Sequence, residues 1–421
     1  MIATRFSEFE LPRVDSRRLL ARLEMLSSIG ACASGGVSRL AYGEADAQAR
    51  RLVLGWMRDA GLRADMDPAG NLIGTLDGTD CDLMLATGSH LDSVPDGGAL
   101  DGAFGVVAAV EVAAALHSAR VSLRHPMAVV AFSNEEGAHG TPGMTGSLAL
   151  SGQLTDDHLR SRSDHGTSLD QLITSCGGRP ELIAGSAWKA GSVAAFVELH
   201  IEQGPVLDAE GLTIGVVEAI TGRTVFDLFV EGQANHAGTT PMGMRHDAMV
   251  AAAEAVLAVE RLATSGSVTA ATCGTIEARP NTRNVIPGAV RLGCELRDVD
   301  PSRMEDAVGR LRTELDDLAA TRGCRVVLSV RETVEACRCD PRLVSLVSEA
   351  AEQLGMAARL MVSGAGHDAQ VMAALGPIAM LFVPSRSGVS HAAAEHSEPE
   401  QLAAGADALL RTIWLADREL P

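Results

Sequence analysis

Short apolar runs that alternate with helical segments constrain the fold of this chain more than any other feature. The runs have the length of strands, and amphipathic or Ala-rich segments suited to helices separate them. The runs occupy residues 81–88, 126–133, 193–200 and 376–384, and the helical segments include 16–33, 46–61 and 102–119. Strands that are apolar along their whole length are buried on both faces. The pattern therefore predicts an α/β domain, in which a mostly parallel mixed sheet is flanked by helices.

The middle of the chain follows a different pattern. Strand-like segments there alternate apolar and polar residues, and two helical segments interrupt them. In chain order these segments are 224–232, 246–264 (helical), 268–278, 289–298, 301–322 (helical) and 324–334. The order β-α-β-β-α-β is that of a ferredoxin-like α+β unit. Because 421 residues are too many for one core, we predict a main domain formed by 1–212 and 334–421, interrupted by an inserted domain at 213–333.

Charge and composition disfavour several classes of partner and location. The formal charge of -19, with no dense Lys/Arg run, argues against nucleic acid and membrane partners. Residues 1–6 lack the apolar core of a secretion signal, and no apolar run is long enough to span a bilayer. The eight cysteines are scattered, as is typical of reduced thiols. We therefore expect a cytoplasmic protein.

Residue types that bind metals follow four of the predicted strands. His90 comes directly after the first strand, Glu136 follows the second, His200 ends the third and His391 follows the last. Asp101 lies at the start of the helix after the first strand. In open α/β sheets, ligands bind beyond the carboxyl ends of the strands. These five side chains are therefore expected to converge on one site.

The chemistry of these residues suits a pair of divalent ions. Imidazoles and carboxylates bind zinc, manganese and cobalt, and a single Asp such as Asp101 can bridge two ions. Glu135, beside Glu136, is suited to act as general base toward a shared water. The Asp92 carboxylate is suited to accept the second ring N–H of His90. Taken singly, these residues would be solvated histidines and surface carboxylates, so the prediction depends on their joint placement.

Eight stretches of the chain resemble those of a known group of enzymes. In order, they are GSHLDSVPDGGALDGAFGV (88–106), SNEEG (133–137), ELHIEQGPVL (198–207), GQANHAGTTPMGMRHDA (232–248), RPNTRNVIPG (279–288), ELRDVD (295–300), SGAGHDAQ (363–370) and SHAAAE (390–395). The sequence resembles the N-carbamoyl-L-amino acid hydrolase, allantoate amidohydrolase and β-ureidopropionase group, within a larger clan of two-metal peptidases and amidohydrolases. The resemblance covers nearly the whole chain.

The resemblance implies a division of labour among the predicted ligands. One ion would be held by His90 and His200 and the other by Glu136 and His391, with Asp101 shared between them. The ions would be zinc, manganese, cobalt or nickel, two per subunit, with Glu135 as the general base. Peptidase relatives in the clan usually place an acidic residue where this chain has His200. A His within H-x-E-Q-G-P is typical of the enzymes that cleave ureido groups.

The resemblance also implies that the inserted domain acts as a lid and as a dimer surface. His236 resembles the residue that stabilises the oxyanion in this group. Asn284 and Arg297 resemble its binders of the substrate carboxylate, and Gln203 and Gly366 resemble further substrate contacts. The alternative for Arg297, from its neighbours alone, is a surface ion pair with Asp298 or Asp300.

The expected function is therefore hydrolysis of N-carbamoyl-L-amino acids by a homodimer that takes small ureido or carbamoyl carboxylates. An allantoate amidohydrolase or a β-ureidopropionase-type hydrolase would need the same ligands and the same Arg. A third possibility is a catalytically inactive binding protein on this fold, although such a protein would be expected to lack a ligand or the base. The chain departs from the group's pattern at Ala138-His139 and Ala392-Ala393, which affects the wall of the substrate pocket.

Overall fold

The computed structural model describes residues 11–421, which form two compact units. The first unit runs to Glu218 and resumes at Cys339, and the second spans Ala219–Arg338. The predicted insertion, 213–333, begins and ends a few residues earlier. The first six residues, which lack the pattern of a secretion signal, lie outside the described residues.

Fifteen strands are present in the described residues, and most of the strands that the sequence predicts lie within two residues of their expected bounds. They are β1 (Arg63–Met66), β2 (Leu72–Leu76), β3 (Met84–His90), β4 (Met127–Phe132), β5 (Val193–Ile201), β6 (Ile214–Ile220), β7 (Gly222–Glu231), β8 (Asn235–His236), β9 (Ala270–Arg279), β10 (Val285–Ile286), β11 (Ala289–Asp298), β12 (Arg325–Val334), β13 (Cys337–Arg338), β14 (Ala358–Ser363) and β15 (Ile378–Val383).

Thirteen α-helices accompany these strands over the same residues. They are α1 (Ser16–Ser27), α2 (Glu44–Asp59), α3 (Ala103–Ala119), α4 (Thr145–Leu150), α5 (Asp156–Arg160), α6 (Leu169–Ser175), α7 (Ile183–Ser186), α8 (Val206–Glu210), α9 (Ala248–Thr264), α10 (Pro301–Arg322), α11 (Pro341–Gln353), α12 (Asp368–Met372) and α13 (Pro399–Glu419). No helix of residues 11–421 is long and apolar enough to cross a bilayer.

The large sheet is mixed, which confirms the α/β class but corrects the expectation of a mostly parallel sheet. Its order is β1-β2-β4-β3-β5-β15-β6-β13, with β14 paired to β6. Only the four central strands, in the order β4-β3-β5-β15, are parallel to one another. The strands β2 and β6 join this group in the antiparallel sense. Neither β2 nor β6 lies within the apolar runs from which the parallel core was predicted.

Side chains of β5 alternate between two environments, and this alternation places His200. Val197, Leu199 and Ile201 belong to the main hydrophobic core, together with the Ala-rich helix α3. Phe196, Glu198 and His200 project from the opposite face of the strand, as the two-residue period of a strand requires. Packing of the apolar face against α3 and α13 therefore fixes the direction of the polar face.

The second unit has its own sheet and core. Its sheet is antiparallel, with the order β12-β7-β11-β9, and the helices α9 and α10 pack against it. Buried side chains from both helices and from the inner face of the sheet form one cluster. In chain order, the elements run β7-α9-β9-β11-α10-β12, with the short pair β8 and β10 between them.

Candidate metal centre

The parallel strands bring the predicted ligands to one edge of the sheet. β3 ends at His90, β4 ends two residues before Asn134, β5 carries His200 near its end, and His391 follows β15. The four strands are neighbours in the order β4-β3-β5-β15, so their carboxyl ends lie side by side. Asp101 lies just before α3, which follows β3. All five predicted ligand residues contribute to overlapping groups of potential metal donors.

The carboxylate of Asp101 lies at the centre of these donors. Its Oδ1 is 3.4 Å from His90 Nε2 and 3.1 Å from His200 Nε2. Its Oδ2 is 3.1 Å from His391 Nε2, which is in turn 3.3 Å from Glu136 Oε1. Each oxygen of one carboxylate thus faces a different set of donors. This arrangement is the one that a carboxylate bridging two ions requires.

Main-chain contacts prepare two of the imidazoles to bind a metal. His90 Nδ1 lies 2.9 Å from the main-chain oxygen of Asp92, and His200 Nδ1 lies 2.9 Å from that of Ile201. A carbonyl oxygen can only accept, so each Nδ1 carries a proton, and Nε2, which lies toward Asp101, is the ring nitrogen that remains for a metal. These tautomers suit nitrogen ligation of a divalent ion.

Asp92 has a different contact from the one that the sequence predicts. Its carboxylate was expected to accept the ring N–H of His90, but its nearest oxygen is 3.8 Å from Nδ1, and the Asp92 main-chain carbonyl accepts instead. The carboxylate accepts the main-chain N–H groups of Glu135 and Glu136, at 3.3 and 3.2 Å. Asp92 therefore connects the end of β3 to the two carboxylates that follow β4.

The charges of the site are strongly perturbed. Burial raises the pKa of Glu135 well above its usual range, and the neighbouring carboxylates of Glu136 and Asp368 raise it further. Burial opposes the charge of Asp101, but hydrogen bonds from His200, His391 and His90 hold its pKa well below the usual range. A lowered pKa keeps Asp101 ionised, as a metal ligand must be, while a raised pKa makes the Glu135 carboxylate the stronger base of the two.

His391 occupies the more open side of the site. Its contacts with Asp101 and Glu136 raise the pKa of its imidazole to about 10. The proton on His391 thus offsets the negative charges of the Asp101 and Glu136 carboxylates, as a bound cation would. The donor set of imidazole nitrogens and carboxylate oxygens, turned toward a common point, fits a divalent ion at this position.

Left-handed backbone conformations place several of these side chains. Asn134, Gln203 and His391 have φ values of 53°, 58° and 54°. A non-glycine residue in this region is uncommon and is often found at functional sites. Asn134 is held there by side-chain bonds to Thr141 and Thr145, which turn the chain into Glu135. At Gly102, φ is 62°, and a β-carbon would overlap the imidazole of His90.

Gln203 and Gly366, both predicted to contact substrate, lie in the first unit. Gln203 Nε2 donates to Asp101 Oδ2 at 2.8 Å, and its Oε1 is buried without a hydrogen-bond partner among the described residues. Gly366 precedes His367, and a β-carbon there would lie 3.3 Å from Met144 Cε.

The structure adds two residues to the site that the sequence analysis did not assign. The ring of His367 lies 4.7 Å from that of His200, and its Nε2 is 2.9 Å from Ser363 Oγ. Glu198 is fully buried and accepts from Ser89 and from the main chain of Ala369. Glu198, His200 and His367 form a further group of possible metal donors. Both added residues lie inside stretches that carry the family resemblance.

The other predicted substrate residues lie in the second unit. His236 is exposed, and its Nδ1 accepts the main-chain N–H groups of Gly238 and Thr239, at 3.0 and 3.2 Å. Its proton is therefore on Nε2, which is free to donate. His236 pairs with Val285 between β8 and β10, and this pairing places it beside Asn284.

Arg297 has a different partner from those considered from its neighbours in sequence. Its Nε donates to Glu295 Oε1 at 2.5 Å. Residues 295 and 297 project from the same face of β11, because side chains alternate along a strand. Asp298 is buried on the other face and accepts from Thr269.

The fold and the donor set together define a metal-dependent hydrolase. Residues 86–415 match the model of the peptidase family M20/M25/M40, and the chain belongs to this family. It is 39% identical over 402 residues to the N-carbamoyl-L-amino acid amidohydrolase of Geobacillus stearothermophilus. This match covers 95% of this chain and 98% of that protein. It is 36% identical to the allantoate amidohydrolase of Bacillus subtilis (strain 168), with coverage of 93% and 95%.

A solved structure supports the same relationship. The amidase of the hydantoinase/carbamoylase family from Burkholderia multivorans superposes with a TM-score of 0.89 and 35% sequence identity. The match covers 97% of this chain and 99% of that one. The family resemblance inferred from the eight stretches is therefore confirmed.

Proposed function

We propose that this protein is an amidohydrolase that removes the terminal carbamoyl group of N-carbamoyl-L-amino acids. The products would be the amino acid, carbon dioxide and ammonia. The observation that carries the proposal is the donor set around Asp101, in a chain 39% identical over 95% of its length to an N-carbamoyl-L-amino acid amidohydrolase. None of the eight cysteines, all of which lie within residues 11–421, forms a disulfide, which supports a location in the reducing cytoplasm.

Two divalent ions are the cofactors of this proposal. His90 and His200 would hold one, Glu136 and His391 the other, and Asp101 both. Mixed nitrogen and oxygen donors suit zinc, manganese, cobalt or nickel better than calcium or magnesium, which favour oxygen alone. When bound, such ions lower the pKa of a shared water and polarise the substrate carbonyl.

The side chains then divide the remaining work. Glu135 takes a proton from the attacking water and returns it to the leaving nitrogen, for which its burial and raised pKa are suited. His236 donates from Nε2 to the oxygen on which negative charge develops. Arg297 and Asn284 bind the substrate carboxylate, since a guanidinium can donate two parallel bonds to it.

Gln203 supports a carbamoyl group over an acyl group. Asp101 is ionised and can only accept, so the Gln203 amide must present Nε2 to it. The other atom of the same amide, Oε1, is then left buried with no donor among residues 11–421. Once substrate displaces the groups that cover this oxygen, a carbamoyl group, which ends in an NH₂, would supply the missing donor, whereas a formyl or acetyl group offers hydrogen or methyl. An unpaired buried acceptor costs roughly 1–3 kcal/mol.

Replacing Gln203 with Leu should therefore change substrate preference. We expect the ratio of kcat/KM for an N-carbamoyl-L-amino acid to that for the matched N-formyl derivative to fall roughly 10- to 100-fold. The variant also loses the bond to Asp101, but this loss affects both substrates and cancels in the ratio.

Ser390→Ala is the matched control, because Ser390 Oγ also contacts Asp101 Oδ2, at 3.2 Å, but Ser390 has no buried oxygen without a partner among residues 11–421. It should slow both reactions and keep the ratio. An unchanged ratio in Gln203→Leu would contradict the proposed contact between Gln203 Oε1 and the carbamoyl NH₂.

The choice among ureido substrates is tested by ammonia release over a panel. N-carbamoyl-L-amino acids, N-carbamoyl-β-alanine, allantoate and ureidoglycolate should be compared at equal enzyme and metal concentration. The second candidate is an allantoate amidohydrolase, which the 36% identity to the Bacillus subtilis enzyme supports. A kcat/KM for allantoate above that for every carbamoyl amino acid would favour this second candidate. No hydrolysis of any ureido compound by the metal-loaded protein would reject both.

The inserted unit is proposed to serve as a lid and as the surface of a homodimer. β9 is an edge strand of its sheet, and Ile276 on it is 57% exposed. Leu257 on the adjacent helix α9 is 51% exposed. An open edge with apolar side chains is suited to pair with a second copy across a two-fold axis. Light scattering tests this proposal, and a fully active monomer would contradict it.

A further inference from the structure

A carboxylate outside the ligand set joins the two loops that carry Asp101 and His391. Glu395 follows His391 in the same loop and is only 8% exposed. Its Oε1 accepts the main-chain N–H groups of Leu100 and Asp101, at 2.9 and 3.1 Å. Its Oε2 accepts from Ser390 Oγ at 2.8 Å. The buried Glu395 side chain thus accepts hydrogen bonds from the main chain of Asp101 and from Ser390, the residue before His391.

The surrounding chain leaves space for this carboxylate. A β-carbon at Gly98 would overlap the carboxyl group of Glu395, so only glycine fits there without displacing it. Ser390 Oγ also reaches Asp101 Oδ2 at 3.2 Å, which extends the contact from the main chain of Asp101 to its side chain. Two segments distant in sequence, 98–101 and 390–395, therefore meet at Glu395.

We propose that Glu395 is a positioning residue that holds the Asp101 carboxylate where its two oxygens can serve two ions at once. Asp101 Oδ1 faces His90 and His200, while Oδ2 faces His391. A small rotation of the Asp101 main chain would withdraw one oxygen from its donors. Replacement of a group that orients a metal ligand in this way commonly lowers the affinity for the metal. The inference rests on the proposed two-ion site but not on the identity of the substrate.

Cobalt(II) binding to the metal-free full-length protein tests this role, because the visible absorption of cobalt reports the geometry around the ion. For Glu395→Ala we expect cobalt affinity to fall roughly 10- to 100-fold and the absorption spectrum to change. kcat should fall while KM stays close to wild type, since the proposed substrate groups are other residues. Glu395→Gln keeps an oxygen for the two N–H groups and should restore most of the affinity.

Glu400→Ala is the control, because Glu400 is an exposed acid in the first turn of the following helix, α13. It should bind cobalt as the wild type does. Gly98→Ala provides an independent variant if Glu395→Ala fails to fold. It leaves Glu395 in the chain but displaces its carboxyl group, and it should weaken cobalt binding in the same way.

Wild-type cobalt affinity and absorption in Glu395→Ala would overturn the inference, even if that variant unfolds at a lower temperature. A purely structural role would lower stability without changing the cobalt spectrum. A wild-type protein that binds no cobalt would overturn the proposed metal centre, and this inference with it. The two failures are therefore distinguishable.

Discussion

Replacing Glu135 with Gln is expected to lower kcat by roughly 10²- to 10⁴-fold while the metal content stays at the wild-type level. Gln has nearly the same shape, but its amide cannot take a proton from water or return it to the leaving nitrogen. The proposed ligand is the adjacent Glu136, whose contact with His391 does not involve the substituted group. The measurement is kcat from ammonia release, together with metal content by mass spectrometry.

Glu136→Gln is the matched comparison, because it makes the same chemical change one residue away. It should lose metal, since an amide is a poor replacement for a carboxylate ligand. The two variants are thus expected to separate the base from the ligand by two different readouts. Near wild-type turnover in Glu135→Gln would show that another group carries the proton.

The convergence of the ligands was predictable because it depends on the sheet alone. Four apolar strands, each ending in a donor, place those donors together once the strands are parallel neighbours. Their parallel order, β4-β3-β5-β15, meets this condition. The antiparallel strands β1, β2 and β6 lie outside the predicted runs, but they extend the sheet at its margins and do not alter the edge that carries His90 and His200.

Contacts between distant loops could not be predicted in the same way. The bond from the Asp101 main chain to Glu395 joins residues 294 positions apart, and nothing in either local sequence identifies the partner. Asp92 illustrates the same limit at shorter range. Its position two residues after His90 suggested a contact with the imidazole, whereas its carboxylate accepts two main-chain N–H groups from the loop that follows the neighbouring strand β4.

Partners of charged residues on strands are similarly hard to predict. Arg297 was considered with Asp298 or Asp300 because these are its nearest acids along the chain. Alternation along β11 places Glu295 on the same face instead, two residues away. In each case, the residue type indicated the chemistry, while the packing of separate segments selected the partner.

Replacing Asp101 with Asn should have the second large effect, and it should empty one ion position before the other. The amide has one oxygen and one NH₂, so only one side of the former carboxylate can still bind a cation. Gln203 Nε2 donates to Oδ2 at 2.8 Å, and this donor will retain the amide oxygen on its side. The NH₂ then faces His90 and His200, where it repels a cation. We expect the metal content to fall from two ions to about one per subunit.

Turnover in Asp101→Asn should fall by roughly 10³-fold or more, since a single ion cannot clamp both the water and the carbonyl. Asp96→Asn, an exposed acid in the same loop, should keep both ions and full activity. Metal analysis of the two variants after identical loading is the measurement. Retention of two ions by Asp101→Asn would mean that the central carboxylate is not shared. In that case the two oxygens of Asp101 would not bind separate ions, and Glu135 would act beside a metal site with other ligands.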